Sequence, residues 1–207
     1  MIVMLIITTM YMALAIHEFG HYISNKIFNL KVIECCVGTG PVILETNFKE
    51  TKVCFRMIPI GGYVGTDEEG LSKINLTQYW IIILSGVFMN FLACIISLRI
   101  ETSSNLIYSF KEVISLFDEL LSIVLLNVNL INIYHHEGDI ISFIVNMKEL
   151  VVRLSIWKII FGVNAVLLMI NLIPIPALDG GQFLIITLKK ILNRLRESKI
   201  RIRKTIN

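Results

Sequence analysis

From Met1 to Ile16 the chain carries no charge, and the helical, mostly apolar character runs on through His17-Glu18-Phe19-Gly20-His21 to about Phe28. At about 1.5 Å per residue, the stretch before His17 covers ~24 Å of a ~30 Å hydrocarbon core. Residues 1–28 are therefore predicted to form a first membrane span. Between 31 and 64 the pattern changes to β-branched runs broken by turn signals at Gly38-Thr39-Gly40-Pro41, Asn47 and Pro59-Ile60-Gly61-Gly62. That punctuation predicts a β-hairpin. Residues 79–98 are apolar and uncharged over about the length of a second span. Within them, Ser85, Gly86 and Asn90 are small or polar groups of the kind that face protein rather than lipid. Residues 108–134 are apolar but contain Asp118 and Glu119, followed by Asn127, Asn129 and Asn132, and predict an amphipathic helix lying on the membrane. Residues 154–175 predict a third span, ending in Asn171-Leu172-Ile173-Pro174-Ile175-Pro176. Residues 182–207 are apolar on one side and basic on the other, too short and too charged to span, and predict a basic cytoplasmic tail.

Composition agrees with this class. Of 207 residues, 55% are hydrophobic and 17% charged, against roughly 45–50% and 25% in soluble domains. The expected fold is a mostly α, polytopic membrane protein: about three transmembrane helices, a membrane-associated β-hairpin and an amphipathic surface helix, in a single domain. The net charge of +3 is modest and no nucleic-acid partner is expected. Its distribution sets orientation. Ser24 to Thr77 carries six Lys+Arg and Lys189 to Lys204 eight, whereas Ile100 to Leu154 carries three with seven Asp+Glu. By the positive-inside rule, hairpin and tail face the cytoplasm and the middle segment faces out, with the amino terminus outside. Ala13-Leu14-Ala15 resembles a signal-peptide cleavage site, but no Lys or Arg precedes it and the helix continues, so the segment is expected to be retained. Cys35, Cys36, Cys54 and Cys94 form no CxxC pair and are expected to be reduced, buried small residues.

The candidate chemistry lies in the first span. His17 and His21 are four residues apart, so on a helix both imidazoles share a face, with Glu18 beside them. Two imidazoles and a carboxylate in a membrane helix are costly unless they coordinate or react. Zinc takes about four ligands, and a catalytic site keeps one for water. One protein ligand is still needed, and Asp179 is the strongest candidate. It follows a proline-broken helix end, where irregular backbone at membrane depth is tolerated only if buried or lining a cavity. Gly180 and Gly181 after it allow close backbone approach.

Four motifs now fall in order: HEFGH at 17–21, RMIPIGGYV at 56–64, SGVFMN at 85–90 and NLIPIPALDGG at 171–181. Together they resemble the HExxH, PxGGYV, small-residue-and-asparagine and NxxPxPxLDGG elements of the site-2 protease family of intramembrane zinc metalloproteases, in a compact bacterial form. The resemblance implies that His17, His21 and Asp179 hold Zn²⁺ and that Glu18 is the general base. It implies that Gly61 and Gly62 end a strand offered to substrate, and that Asn171 and Asn90 contact substrate or stabilise an oxyanion. The implied activity is endoproteolysis of transmembrane segments or signal-peptide remnants, with a transmembrane protein or peptide as substrate and the lipid bilayer as surroundings. The alternative is a non-catalytic, membrane metal-binding or substrate-binding relative. Ligands at one depth require the first and third spans to end on the same side, so 108–134 must not cross. About 55 residues separate the second and third spans, too few for the PDZ domain of larger relatives. Their further carboxy-terminal span has no counterpart either, which makes a homo-oligomer or an accessory membrane subunit an expected partner. A second metal site at His135-His136 is set aside in favour of an exposed loop.

Overall fold

The computed structural model describes residues 2–103, 105, 107–111, 113–115 and 155–206. The described elements are α1 (Ile2–Ile27), β1 (Val32–Phe48), β2 (Thr51–Thr66), α2 (Glu68–Lys73), α3 (Leu76–Thr102), α4 (Ile156–Leu172) and α5 (Asp179–Ile206). Residues 107–111 and 113–115 are also helical. The rest of the expected amphipathic segment at 108–134, and His135-His136, lie outside the described residues. The chain divides into two compact units, Met1–Ala13 with Phe91–Val166 and Leu14–Asn90 with Leu167–Asn207.

In the first unit, Cys94, Ile95 and Val113 form the core, packed by Phe91, Leu98, Phe161 and Ala165. Phe91 meets Phe110 edge-on at 5.8 Å. Glu101 accepts from Ser155 and pairs with Lys158 at 3.5 Å.

The second unit carries the sheet. β1 and β2 pair antiparallel with repeated register shifts, so that part of β1 faces two parts of β2. Cys36 lies opposite both Tyr63 and Cys54, and Val37 opposite both Gly62 and Phe55. The strand bends this requires fall at glycines: Gly38 has φ +87° and a Cβ there would lie 2.6 Å from the Ile58 carbonyl oxygen. Cys36 and Cys54 are joined in a disulfide, and Cys35 and Cys94 are free and buried. This corrects the expectation of four reduced cysteines, because the register brings Cys54, not Cys35, alongside Cys36.

Local chemistry ends each helix in this unit. Asn29 takes a left-handed conformation (φ 56°), and Leu30 N–H donates to the Asn25 carbonyl at 2.9 Å, closing α1. Asp67 caps α2, accepting from Gly70 N–H at 2.8 Å. Asn75 and Gln78 exchange side-chain–backbone hydrogen bonds of 2.9 Å, a capping box that starts α3. Early in α5, Phe183 packs on Trp80 of α3, whose indole N–H donates to Thr187 at 2.9 Å.

α1 and α3 are long and apolar enough to cross a membrane, over Val3–Ile27 and Leu76–Thr102. α4, the expected third span, is shorter at 17 residues. Pro174 and Pro176 lack the N–H groups that would extend it. The polarity of these two helices, α1 and α3, is inverted relative to a soluble protein. Met4, Met12, Phe19, Ile81, Phe88 and Ile96 are exposed, whereas Thr9, His17, Glu18, Asn25, Asn90 and Ser97 are buried. A surface of that kind suits hydrocarbon better than water.

Candidate metal centre

The candidate site belongs to the unit of Leu14–Asn90 and Leu167–Asn207. α1 presents His17 and His21 one turn apart, as their spacing predicts. Asp179 is the first residue of α5, and two glycines bring it in. A Cβ on Gly180 would lie 2.4 Å from the Leu172 carbonyl oxygen, and one on Gly181 would lie 1.9 Å from that of Ile175. Only bare Cα atoms let the start of α5 fold so closely onto the residues leaving α4.

The three candidate ligands converge. His17 Nε2 is 3.1 Å and His21 Nε2 3.4 Å from Asp179 Oδ2, and the two nitrogens are 3.2 Å apart. Ligands at the usual ~2.0–2.1 Å from a tetrahedral zinc ion stand about 3.3 Å from one another. All three separations fit that triangle. The opposite ring nitrogens are engaged elsewhere: His17 Nδ1 bonds Asn90 Oδ1 at 2.6 Å and His21 Nδ1 bonds the Ile82 carbonyl oxygen at 2.8 Å. Both acceptors lack a proton to give, so both Nδ1 atoms are donors. In the neutral rings each Nε2 is then a lone pair. Three lone pairs facing one point are what a cation needs. Burial alone would raise the Asp179 carboxyl, but the two imidazoles beside it more than offset this and hold it down to about 2.

Glu18 is buried, and its Oε2, like Asp179 Oδ2, has no hydrogen-bond partner among the described residues. A free, buried carboxylate oxygen beside the ligands is available for proton transfer. Gly62 lies against it: a Cβ there would be 2.4 Å from Glu18 Oε1 and 2.7 Å from the Cys36 carbonyl oxygen. The sheet therefore reaches the Glu18 carboxylate at Gly62. Gly61, with φ +69°, has room beside Thr39 and makes the bend next to it. Asn171 is buried and donates to the Leu167 carbonyl at 3.0 Å within its own helix. Asn90 is buried and meets His17 Nδ1.

Sequence reasoning did not assign the contacts that Gly86, Ile82, Ser85 and Gly20 make at the site. A Cβ on Gly86 would lie 2.5 Å from His21 Nε2 and 2.7 Å from His17 Nε2. The Ile82 carbonyl and the Ser85 hydroxyl, which bonds Ser24 at 2.9 Å, steady the His21 side. A Cβ on Gly20 would be 2.4 Å from the Ser85 carbonyl oxygen. The signal was present in the small residues Gly20, Ser85 and Gly86, but it does not say what they approach. A second cluster, Glu34 with Cys36 and Cys54, has donor atoms within 4.8 Å of one another. Its sulfurs are spent in the disulfide and it offers no thiolate.

Relatives point the same way. A protein of Fusobacterium nucleatum, provisionally named a zinc metalloprotease, is 38% identical over 108 residues, 44% of this chain and 32% of that protein. Similarly named proteins of Clostridium acetobutylicum and Thermotoga maritima are each 34% identical, over 83 and 91 residues. The aligned regions span 24% and 18% of those two proteins, so this chain matches only a fraction of its relatives' length. The model of peptidase family M50 matches residues 5–205, which take in the paired histidines of α1, the glycines of β2 and the aspartate of α5. With nearly its whole length so matched, the chain belongs to peptidase family M50, the site-2 protease family.

Proposed function

We propose that this chain is a zinc-dependent endopeptidase that cleaves transmembrane segments of membrane proteins, or signal-peptide remnants, near the cytoplasmic face of the cell membrane. One observation carries the reading: three lone-pair atoms spaced for tetrahedral zinc stand beside a buried carboxylate with an unused oxygen. His17, His21 and Asp179 would hold the ion. A bound zinc ion supplies Lewis-acid polarisation of a carbonyl and acidification of water. Glu18 accepts the proton of the attacking water at Oε2 and delivers it to the leaving amine nitrogen, which lets the C–N bond break. The edge of β2 near Gly61 and Gly62 that is turned from β1, unpaired among the described residues, receives an extended substrate backbone by strand addition. Substrate must first unwind, since helical carbonyls are already hydrogen-bonded. Asn171 is proposed to orient substrate or donate to the developing oxyanion.

The membrane part of the proposal rests on the apolar exterior and polar interior of the helices. The topology that fits it has three spans, the amino terminus outside and the basic tail cytoplasmic. α4 crosses with help from the apolar residues at 173–175, since its own 17 residues give about 25 Å of a ~30 Å core. A homo-oligomer or an accessory membrane subunit is the proposed protein partner.

The test is cleavage of a tagged single-span substrate in reconstituted vesicles, with Glu18→Gln beside the parent. The parent is expected to cut and Glu18→Gln to bind zinc but leave the substrate intact. Equal cutting by both would remove Glu18 from the base role. A zinc-loaded parent that cuts nothing would leave the non-catalytic, metal-binding relative.

A further inference from the structure

Both imidazoles of the site turn Nε2 toward Asp179 and Nδ1 toward α3. His21 is held there by backbone, through the Ile82 carbonyl at 2.8 Å. His17 is held by a side chain, Asn90 Oδ1 at 2.6 Å. Asn90 is wholly buried. An amide oxygen only accepts, so this short bond requires the hydrogen on His17 Nδ1 and leaves Nε2 bare. The other tautomer would set two lone pairs against each other at Asn90 and a hydrogen where a cation belongs. Ligating histidines commonly donate to a carboxylate, a carbonyl or water, and that partner fixes the ring. A carboxylate here would add a third anionic side chain beside Glu18 and Asp179 at membrane depth, where charge is expensive. An amide gives the same acceptor without the charge.

We infer that Asn90 is a positioning residue of the metal centre: it accepts the His17 Nδ1 hydrogen, keeps Nε2 unprotonated and aims it at the point shared with His21 and Asp179. It acts through His17 and does not touch substrate, so the role differs from the substrate or oxyanion contact expected from sequence. The inference rests on the metalloprotease reading for its purpose, but its test does not need proteolysis.

The test uses the full chain in detergent and four variants. Asn90→Leu keeps the size and removes the acceptor; Asn90→Ala serves if Asn90→Leu does not accumulate. Asn90→Asp restores an acceptor. Asn164→Leu removes another buried amide, one that donates to the Ile160 carbonyl within its own helix, α4. Zinc affinity is read by chelator competition, and the protonation of the His17 ring by ¹⁵N NMR of the zinc-free protein. Asn90→Leu is expected to weaken zinc by about 10–100-fold and to shift the His17 ring away from the Nδ1–H form. Asn90→Asp and Asn164→Leu should stay within a few-fold of the parent. The inference is overturned if Asn90→Leu holds zinc as the parent does with an unchanged His17 signal. It is also overturned if Asn90→Leu raises KM at constant zinc affinity, which would mark a substrate contact, or if Asn164→Leu loses zinc equally. Should the zinc and ring measurements come out as expected in a parent that cleaves nothing, Asn90 keeps its role and the protease reading falls.

Discussion

Gly86→Ala adds one methyl group to the face of α3 turned toward the imidazoles. By helix propensity alone, replacing an interior glycine with alanine stabilises by about 1 kcal/mol. The structure predicts the opposite outcome at the site. The new Cβ would stand 2.5 Å from His21 Nε2 and 2.7 Å from His17 Nε2 and Cε1, where anything under 3.0 Å forces a shift. Reaching even 3.0 Å moves the His21 ring or the α3 backbone by at least about 0.5 Å, beyond the roughly 0.2 Å within which metal–ligand distances normally hold. Neither ring can yield easily, since Asn90 and the Ile82 carbonyl hold their far sides. The expected result is loss of zinc affinity by at least the 10–100-fold typical of disturbed ligand orientation, with the helices still assembled. Chelator competition on purified protein measures the affinity, and circular dichroism checks helix content. If Gly86→Ala retains zinc within about threefold of the parent, the close approach of α3 to the ligands is wrong, and with it the role of Gly86.

Two further outcomes follow from the sheet. Cys36 and Cys54 are bonded across 18 residues, a loop for which chain entropy gives about 3 kcal/mol. Denatured, unreduced protein should therefore show two alkylatable thiols by mass spectrometry, and Cys36→Ser should lower the melting temperature. Four thiols would dismiss the bond. Burial, with the nearby Glu18 carboxylate adding to it, pushes the Cys35 thiol up to about 11. At pH 8 its thiolate fraction is then roughly 200-fold below that of an ordinary thiol near 8.5, so native Cys35 should alkylate that much more slowly and accelerate as pH rises toward 11. A rate that levels off near pH 9 would refute the shift.

The candidate ligand cluster was legible because much of it is built from short-range spacing. His17 and His21 need only a helix to share a face, and the proline and glycine pattern around Asp179 marks a broken helix end with close packing. The long apolar helices α1 and α3 were legible from apolar length, with α3 starting at Leu76 rather than 79 because the capping box at Asn75 and Gln78 sets its first turn. What the sequence did not show depends on register and on helix faces meeting. The Cys36–Cys54 bond follows from bends in β1 that place Cys36 against two parts of β2. The Asn90–His17 bond joins residues 73 positions apart and needs the rotation of α3 about its own axis. Periodicity says that Asn90 faces protein; it does not name the atom it meets.

The contacts at the site share one device, the missing side chain. Gly20 meets the Ser85 carbonyl, Gly86 the two imidazoles, Gly62 the Glu18 carboxylate, and Gly181 the Ile175 carbonyl, each closer than a Cβ would permit. In hydrocarbon, helices gain nothing from burying apolar surface against one another, and association depends on close backbone approach and interhelical hydrogen bonds. Within this unit the contacts that can hold α1 to α3 in a bilayer are therefore the same ones that set the ligand geometry. Packing and chemistry are then not separable here: a methyl group at Gly20 or Gly86 strains the helix pair and the metal centre together. A change at exposed Phe88, two residues from Gly86, disturbs neither, because that side chain points away from the protein interior. This coupling is a physical reason for the site to be built on the crossing helices rather than on loops, since the close approach of α1 and α3 also fixes the two imidazoles.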